Sequence, residues 1–248
     1  MVTAGMAFDA LATTYDDLWS RTAIGLSQRQ AVWSRVDPLF ERGDSILDLG
    51  CGTGEDALHF ESRGVHVHGV DASAAMVRIA RERGVNAHQL AAEEMGNLSG
   101  EFNGAISNFG VLNCVDDLCG VGLRLGRLVR RGGFAAICVL SPFCLREIVH
   151  FLVRGKPRKA FRRFAREKVR TSLGVDVQYP STTQLARTFS DGFELVAWYG
   201  IGVCVPPSYV RGIGDETIGR LARLDRGLAH LPAIRAMGDH RLFIFKRL

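Results

Sequence analysis

The sequence predicts an α/β fold: an open, doubly wound, mostly parallel sheet that carries a helical insert in its second half. Two observations predict it. Between residues 45 and 140, short runs rich in Ile, Leu and Val alternate with segments of helical period, at the spacing of right-handed βαβ crossovers. The first of those runs, Ser45-Ile46-Leu47-Asp48-Leu49, enters a glycine-rich turn that opens a helix.

A helix over 26–40 precedes the first strand, 45–49. Next come a helix over 54–63, a strand over 65–70, a helix over 73–83, and strands over 85–90 and 102–108. A helix over 116–130 is ended by Gly132-Gly133, and a fifth strand covers 134–140. The rhythm then changes. Pro142 begins a stretch, to about Arg170, that reads as one or two helices and holds the densest charge in the chain. Residues 175–179 are extended and stopped by Pro180, and Ser181 and Gln184 have capping-box spacing at the head of a helix running to Ser190. A long strand over 193–205, a helix over 215–231 and a strand over 240–247 complete the order. Residues 1–248 are expected to form one domain: an N-terminal helical cap (1–43), a cofactor-binding half (44–140), a basic helical lid insert (141–180) and the C-terminal half of the sheet (181–248).

With 248 residues, 47% of them hydrophobic and 23% charged, the chain has the apolar content for a sizeable core. The formal charge of +5 sets solubility and weak anion attraction; no nucleic-acid-binding module accompanies it, so a nucleic-acid partner is not expected. Six cysteines, Cys51, Cys114, Cys119, Cys138, Cys144 and Cys204, include no C-x-x-C pair. They read as small buried hydrophobes in a reducing cytoplasm, with no metal site. No charged segment followed by an apolar core opens the chain, and no apolar run approaches about 18 residues, so neither secretion nor a membrane span is expected.

Chemistry concentrates in Ile46 to Gly54, Ile-Leu-Asp-Leu-Gly-Cys-Gly-Thr-Gly. Glycine permits positive φ and lets backbone approach a ligand where a Cβ would collide, while the helix start beyond offers amide donors. About 20 residues on, the second strand ends in Val70-Asp71, an acid placed to accept both hydroxyls of a ribose. Reading from Gly52, Gly-Thr-Gly-Glu-Asp-Ala also satisfies the G-x-G-x-x-A word of dinucleotide sites. A nicotinamide-dependent oxidoreductase is therefore an alternative, as is a protein that binds its cofactor without turning it over.

The longer word, with Asp48 two residues before a G-x-G-x-G ending at Gly54, resembles motif I of the class I S-adenosylmethionine-dependent methyltransferases. Asp71-Ala72-Ser73 with Met76 is similar to the second motif of that family, whose acid binds the cofactor ribose. Ala91-Ala92-Glu93-Glu94-Met95 resembles the loop that holds the adenine; Ala91 stands where the family often has an acid, which leaves the backbone at Ala92 or the side chain of Glu93 to serve. Phe102 to Asn108 resembles the fourth-strand motif, with Asn103 for its usual Asp, and Leu128 to Gly133 the turn before strand five, without its proline. Phe8 to Asp16 is similar to the opening of many small-molecule members, in which the tyrosine, here Tyr15, closes over the methionine end of the cofactor. By motif the resemblance covers residues 8 to about 140, and beyond that it is architectural: a Rossmann-like sheet of seven strands with the last, 241–246, antiparallel.

The resemblance implies S-adenosylmethionine as cofactor, held by Tyr15, Asp48, Gly50, Cys51, Gly52, Thr53, Gly54, Asp71, Ala72, Met76, Ala92, Glu93 and Asn108. It also implies in-line transfer of the methyl group to an O, N, S or C nucleophile of a small-molecule acceptor. Where the acceptor must lose a proton, Asn108, Asn113, His150 and Tyr179 are candidates on the acceptor side, none of them in a diagnostic motif.

The insert from Arg154 to Arg170 holds nine Lys or Arg residues against one acid, Glu167, and Ala160, Phe161, Phe164, Ala165 and Val169 recur at helical spacing. Three readings follow. It is a solvated helix that covers the site by its Phe stripe, a charged mouth for an anionic acceptor, or a basic amphipathic helix on an anionic membrane surface near a lipid-linked acceptor.

Overall fold

The computed structural model describes residues 3–165, 167–171 and 173–248. Its main sheet is built from β1 (Ser45–Leu49), β2 (His66–Asp71), β3 (Ala87–Gln89), β4 (Phe102–Ser107) and β5 (Val129–Leu140), with β8 (Phe193–Ile201) and β9 (His240–Arg247) added later in the chain. Strands β6 (Val169–Arg170) and β7 (Asp176–Val177) form a separate small hairpin. The helices are α1 (Ala4–Asp9), α2 (Ala23–Val36), α3 (Glu55–Ser62), α4 (Ala74–Glu82), α5 (Leu118–Leu128), α6 (Leu145–Val153), α7 (Pro157–Ala160), α8 (Thr182–Phe189) and α9 (Asp215–Leu228).

The strand order is β3-β2-β1-β4-β5-β9-β8, seven strands as expected. The first five strands run parallel, and β9 is antiparallel to both β5 and β8. The α/β sheet with an antiparallel last strand is thus the one the sequence announces. Its faces follow the period-two alternation of side chains. Ile46, Leu242 and Ile244 join Val32, Phe60 and Val77 on one side. Leu47, Leu49, Phe243 and Phe245 join Leu125, Leu185 and Phe189 on the other. Chain order reverses between β1 and β4, and in such sheets the crevice outside the carboxyl ends at that point receives ligands.

Several boundaries differ, each for a local reason. Gly132 and Gly133 do not end a helix. They lie in a bulge of β5, where pairing jumps from Phe102↔Val129 to Gly104↔Phe134, and a Cβ on Gly133 would sit 2.4 Å from the Asn103 carbonyl oxygen. Strand β8 stops at Ile201, short of the expected 205, because Gly202 turns to φ +67°. Helix α2 starts at Ala23 under the Thr22 hydroxyl, which accepts from Gly25 N at 3.0 Å. Helix α1 and a π-helical turn over Asp16–Ser20 were not expected from the sequence.

The largest departure is the basic insert. No continuous helix runs from 154 to 170: Gly155 takes φ +67°, Pro157 starts the four-residue α7, a 3₁₀ turn covers Arg162–Phe164, and Val169–Arg170 form β6. The amphipathic stripe is accordingly broken, with Ala160 buried while Phe161 and Phe164 are half exposed. Nor is the whole insert solvated, for Arg163 turns inward and is buried. Arg166, one of its nine bases, lies outside the described residues.

Candidate functional site

Register builds the site. Leu49 pairs with Val70, so the turn after β1 lies against the end of β2. Gly50 N and Cys51 N both donate to the Val70 carbonyl, at 2.7 and 3.0 Å. Gly50, Gly52 and Gly54 all have positive φ, yet they serve different ends. A Cβ on Gly50 would fall 2.2 Å from Val111 Cγ2, and one on Gly54 2.9 Å from Val85 Cγ2, so those two are glycine for packing. A Cβ on Gly52 would meet nothing within 4 Å. That open space is where backbone can receive a ligand. Gly52→Ala is therefore expected to cost only about 1 kcal/mol of stability, from its positive φ, while binding of an adenosyl ligand falls at least about tenfold. Gly50→Ala, by contrast, is expected to lower the denaturation midpoint further.

Asp71 borders the same space. Its Oδ2 accepts from Gly52 N at 2.9 Å and its Oδ1 from Ser73 N at 2.8 Å. An ionised carboxylate offers about four acceptor directions, so two remain for ligand hydroxyls. Burial raises the Asp71 carboxyl above its usual range, against the two backbone donors that favour its charged form. Asp48 lies deeper, with Oδ2 buried and unpartnered. Burial, aided by the neighbouring Asp56 carboxylate, pushes its carboxyl well up, and Arg29 opposes this only in part. Asn108 follows β4, its Oδ1 also buried without a partner. Thr53 and Met76 are buried, with Met76 N capped by Ser73 Oγ, whereas Ala72 is exposed and Ala92 and Glu93 are half-buried on a 3₁₀ turn.

The N-terminal segment clamps this turn. Asp9 Oδ1 accepts from Ser73 Oγ at 2.6 Å and from Ala75 N at 2.9 Å, and Gly5 packs on the Ala72 carbonyl. Asp16 accepts from Thr53 Oγ1 at 2.7 Å and pairs with Arg83, which also holds Glu55 and the Thr53 carbonyl. Burial works to raise the Asp16 carboxyl, but the Thr53 and Arg83 bonds prevail and lower it. Between these anchors the Tyr15 ring stands 5.8 Å from Trp19, and Trp19 lies 4.5 Å from Phe109. Phe109 meets His240 edge-on at 5.4 Å. Burial lifts the Tyr15 phenol to about 12, despite the Arg29 charge, so it stays neutral. Phe109 is the one non-glycine residue with positive φ (57°) among those described, and such strain clusters at ligand sites. The Arg29 guanidinium lies over the Trp19 and Phe109 rings and pairs with buried Asp56 at 2.5 Å.

The acceptor-side candidates separate. Asn113 is fully buried, and both its amide protons are spent on the carbonyls of Leu140 and Gln178 while its Oδ1 accepts from Leu140 N. It ties β5 to the end of the β6–β7 hairpin. His150 stands away from the glycine turn, on α6, with Nδ1 3.0 Å from Arg154 Nη1 and its ring against Phe151 and Tyr209. Tyr179 lies under the Arg163 guanidinium in a small cluster with Val177, Leu140 and Ala7. Of the four, Asn108 alone adjoins the aromatic row. His240 Nδ1 is 3.5 Å from Asp239 Oδ2 but not aligned to bond it.

Sequence reasoning missed four residues that shape the site: Asp9, Asp16, Arg29 and Arg83. The first two sit in the quoted Phe8–Asp16 word, where only Tyr15 was assigned a role. The two arginines carry no local signal, because each reaches its partner from a distant part of the sequence, Arg83 and Asp16 standing 67 residues apart, through tertiary contact alone. Among the described residues, no group of three His, Cys, Asp or Glu side chains is placed to hold a metal ion.

The family described as "Methyltransferase domain" matches residues 26–197. The chain belongs to that family. A demethylmenaquinone methyltransferase of Corynebacterium kroppenstedtii is 28% identical over 202 residues, covering 77% of this chain and 86% of the relative. A solved Thermotoga maritima protein, described as a possible histamine N-methyltransferase, superposes with TM-score 0.61 at 19% identity over 98% of this chain and 99% of its own. The [4+2]-cyclase SpnF superposes equally well, TM-score 0.61 at 17% identity, over 98% of this chain and 94% of its own. Those two likenesses show the fold. Family membership selects methyl transfer over the hydride transfer left open by the G-x-G-x-x-A word. The class I methyltransferase resemblance and the α/β fold are thus both met.

Proposed function

We propose that this methyltransferase takes its methyl group from S-adenosylmethionine and delivers it to a small molecule with an apolar, planar body. The observation that carries the donor half is the unfilled space over Gly52, edged by an Asp71 carboxylate with two acceptor directions to spare. A ribose diol matches those two directions. The bound cofactor would supply a methyl group already activated on a sulfonium.

The chain's own residues then bind, orient and exclude water. Gly52 lets backbone approach, Asp71 holds the sugar, and the Asp16–Thr53–Arg83 clamp fixes the turn beneath it. Tyr15 and Trp19 roof the crevice from the N-terminal segment. For the acceptor half, the row Tyr15–Trp19–Phe109–His240 lies at the carboxyl end of β4, and ring faces of this kind suit a planar apolar acceptor. The demethylmenaquinone methyltransferase relative supports the same class. Positioning alone can supply roughly 7–11 kcal/mol of such a barrier, so no strong base is required.

Titration calorimetry with S-adenosylmethionine, S-adenosylhomocysteine and NAD tests the donor. Both sulfur ligands are expected to bind and NAD to give no heat. Binding of NAD without either sulfur ligand would end this reading. S-adenosylhomocysteine release, read as homocysteine while phenols, quinols, amines and thiols are screened, separates turnover from binding alone. No helix of the described residues is long and apolar enough to cross a membrane.

A further inference from the structure

Helix α6 exposes an apolar face beside the partly buried Ile148 and Phe151. Its inward face carries Glu147, only 1% exposed, whose carboxylate accepts from Arg162, Arg163 and the Tyr209 hydroxyl. Its outward face carries Leu145, Val149, Leu152 and Val153, at i, i+4, i+7 and i+8, exposed by 41, 51, 45 and 81%. A soluble surface helix ordinarily keeps its outward face polar. The apolar surface continues past the helix. Phe164 packs edge-on against Phe143, two residues before α6, at 5.9 Å, and both Phe164 and its neighbour Phe161 are half exposed.

The charge around this face has one sign. Arg146, Arg154, Lys156, Arg158 and Lys159 lie on α6 or just beyond it, and none has a carboxylate within ion-pair reach among the described residues. Glu147, the acid of α6 itself, is spent inward. A second copy of this chain on the same face would bring these bases together, and like-charge juxtaposition costs several kcal/mol. An anionic bilayer satisfies both features, since exposed aliphatic and aromatic side chains enter the headgroup boundary while basic residues meet lipid phosphates.

We propose that the outer face of α6, with Phe161 and Phe164, docks on an anionic lipid surface. Four residues separate α6 from the carboxyl end of β5, so docking sets the ligand crevice beside the membrane. The expected long basic helix is not needed: the surface is made by a short helix and two turns. This docking stands apart from the methyl-donor reading and does not rest on it.

Co-sedimentation with vesicles of equimolar phosphatidylglycerol and phosphatidylcholine, beside vesicles of phosphatidylcholine alone, tests it. The full chain is expected to pellet with the anionic vesicles, weakly with the neutral ones, and less at high salt. The double variant Val149→Glu/Val153→Glu is expected to lose partitioning at least about tenfold, with thermal melting and S-adenosylmethionine calorimetry unchanged. Lys156→Glu/Lys159→Glu gives an independent reading, being expected to weaken binding and flatten its salt dependence. Absence of wild-type binding to anionic vesicles overturns the proposal, as does equal partitioning by the Val149→Glu/Val153→Glu variant. A concentration-dependent dimer abolished by that variant, with no vesicle binding, assigns the face to a second copy and overturns it as well.

Discussion

Asp71→Asn is expected to weaken S-adenosylmethionine binding by about a hundredfold or more while leaving the chain folded. The carboxylate accepts one backbone bond on each oxygen, from Gly52 N and Ser73 N, and keeps one direction free on each for a ribose hydroxyl. The amide replaces one acceptor oxygen by a nitrogen that can only donate. Whichever way it turns, its NH₂ faces either Gly52 N–H or Ser73 N–H, and one hydroxyl loses its acceptor. A hydrogen bond to a charged group is worth about 1.5–3 kcal/mol, and about 1.4 kcal/mol is tenfold in affinity. Losing one such bond and weakening the other gives the stated factor. Part of the cost falls on the turn itself, so calorimetry should be run well below the melting temperature, with circular dichroism confirming the fold. Affinity within about threefold of the wild type would remove Asp71 from the site.

The geometry of the glycine turn and its neighbouring acid was legible because it is local. Three glycines, an acid before them and an acid on the next strand are fixed by adjacency along one βαβ unit, and parallel register brings Asp71 to Gly52 with no further instruction. Sequence could not divide labour among the glycines, however, since what lies opposite each depends on distant residues such as Val111 and Val85. The N-terminal clamp illustrates the same limit. Asp9 and Asp16 were in view, but their partners Ser73 and Arg83 are distant in the chain. The insert misled for a different reason. Helical spacing of Phe161 and Phe164 suggested a continuous stripe, but Gly155 and Pro157 break the segment, and Arg162 and Arg163 gain more from Glu147 than from water. The exposed face of α6 is not legible in the sequence, because an apolar helical segment is ordinarily core.

Arg163→Met is expected to destabilise the chain by about 3–5 kcal/mol at neutral pH, the usual cost of removing one partner from a buried ion network. Arg163 lies between two buried carboxylates, with Nη2 at 2.5 Å from Glu147 Oε2 and 2.7 Å from Asp239 Oδ1. Its Nη1 also holds the carbonyls of Ser141 and Asp239, so one guanidinium pins the 3₁₀ turn over Arg162–Phe164, α6 and the residue before β9 together. Met fills similar volume but leaves Glu147 with only Arg162 and the Tyr209 hydroxyl, and Asp239 with only Gln28 and His240 near it. The pH dependence gives the sign. Burial works to raise both carboxyls, yet the charges of Arg163 and its neighbours overcome it and hold both below their ordinary values. A depressed folded-state pKa contributes stability that is present above the unfolded value, near 4, and is lost as pH falls through the folded one. In Arg163→Met burial prevails, at least at Asp239, and its pKa rises above the unfolded value. Protonation then relieves the variant as pH falls toward 5 while the wild type is still fully charged. The gap in denaturant midpoint between the two proteins should therefore narrow on going from pH 8 to pH 5. A constant gap across that range would mean that Arg163 acts through packing and its two carbonyl bonds, and that the carboxylates on either side are solvated enough to stand without it.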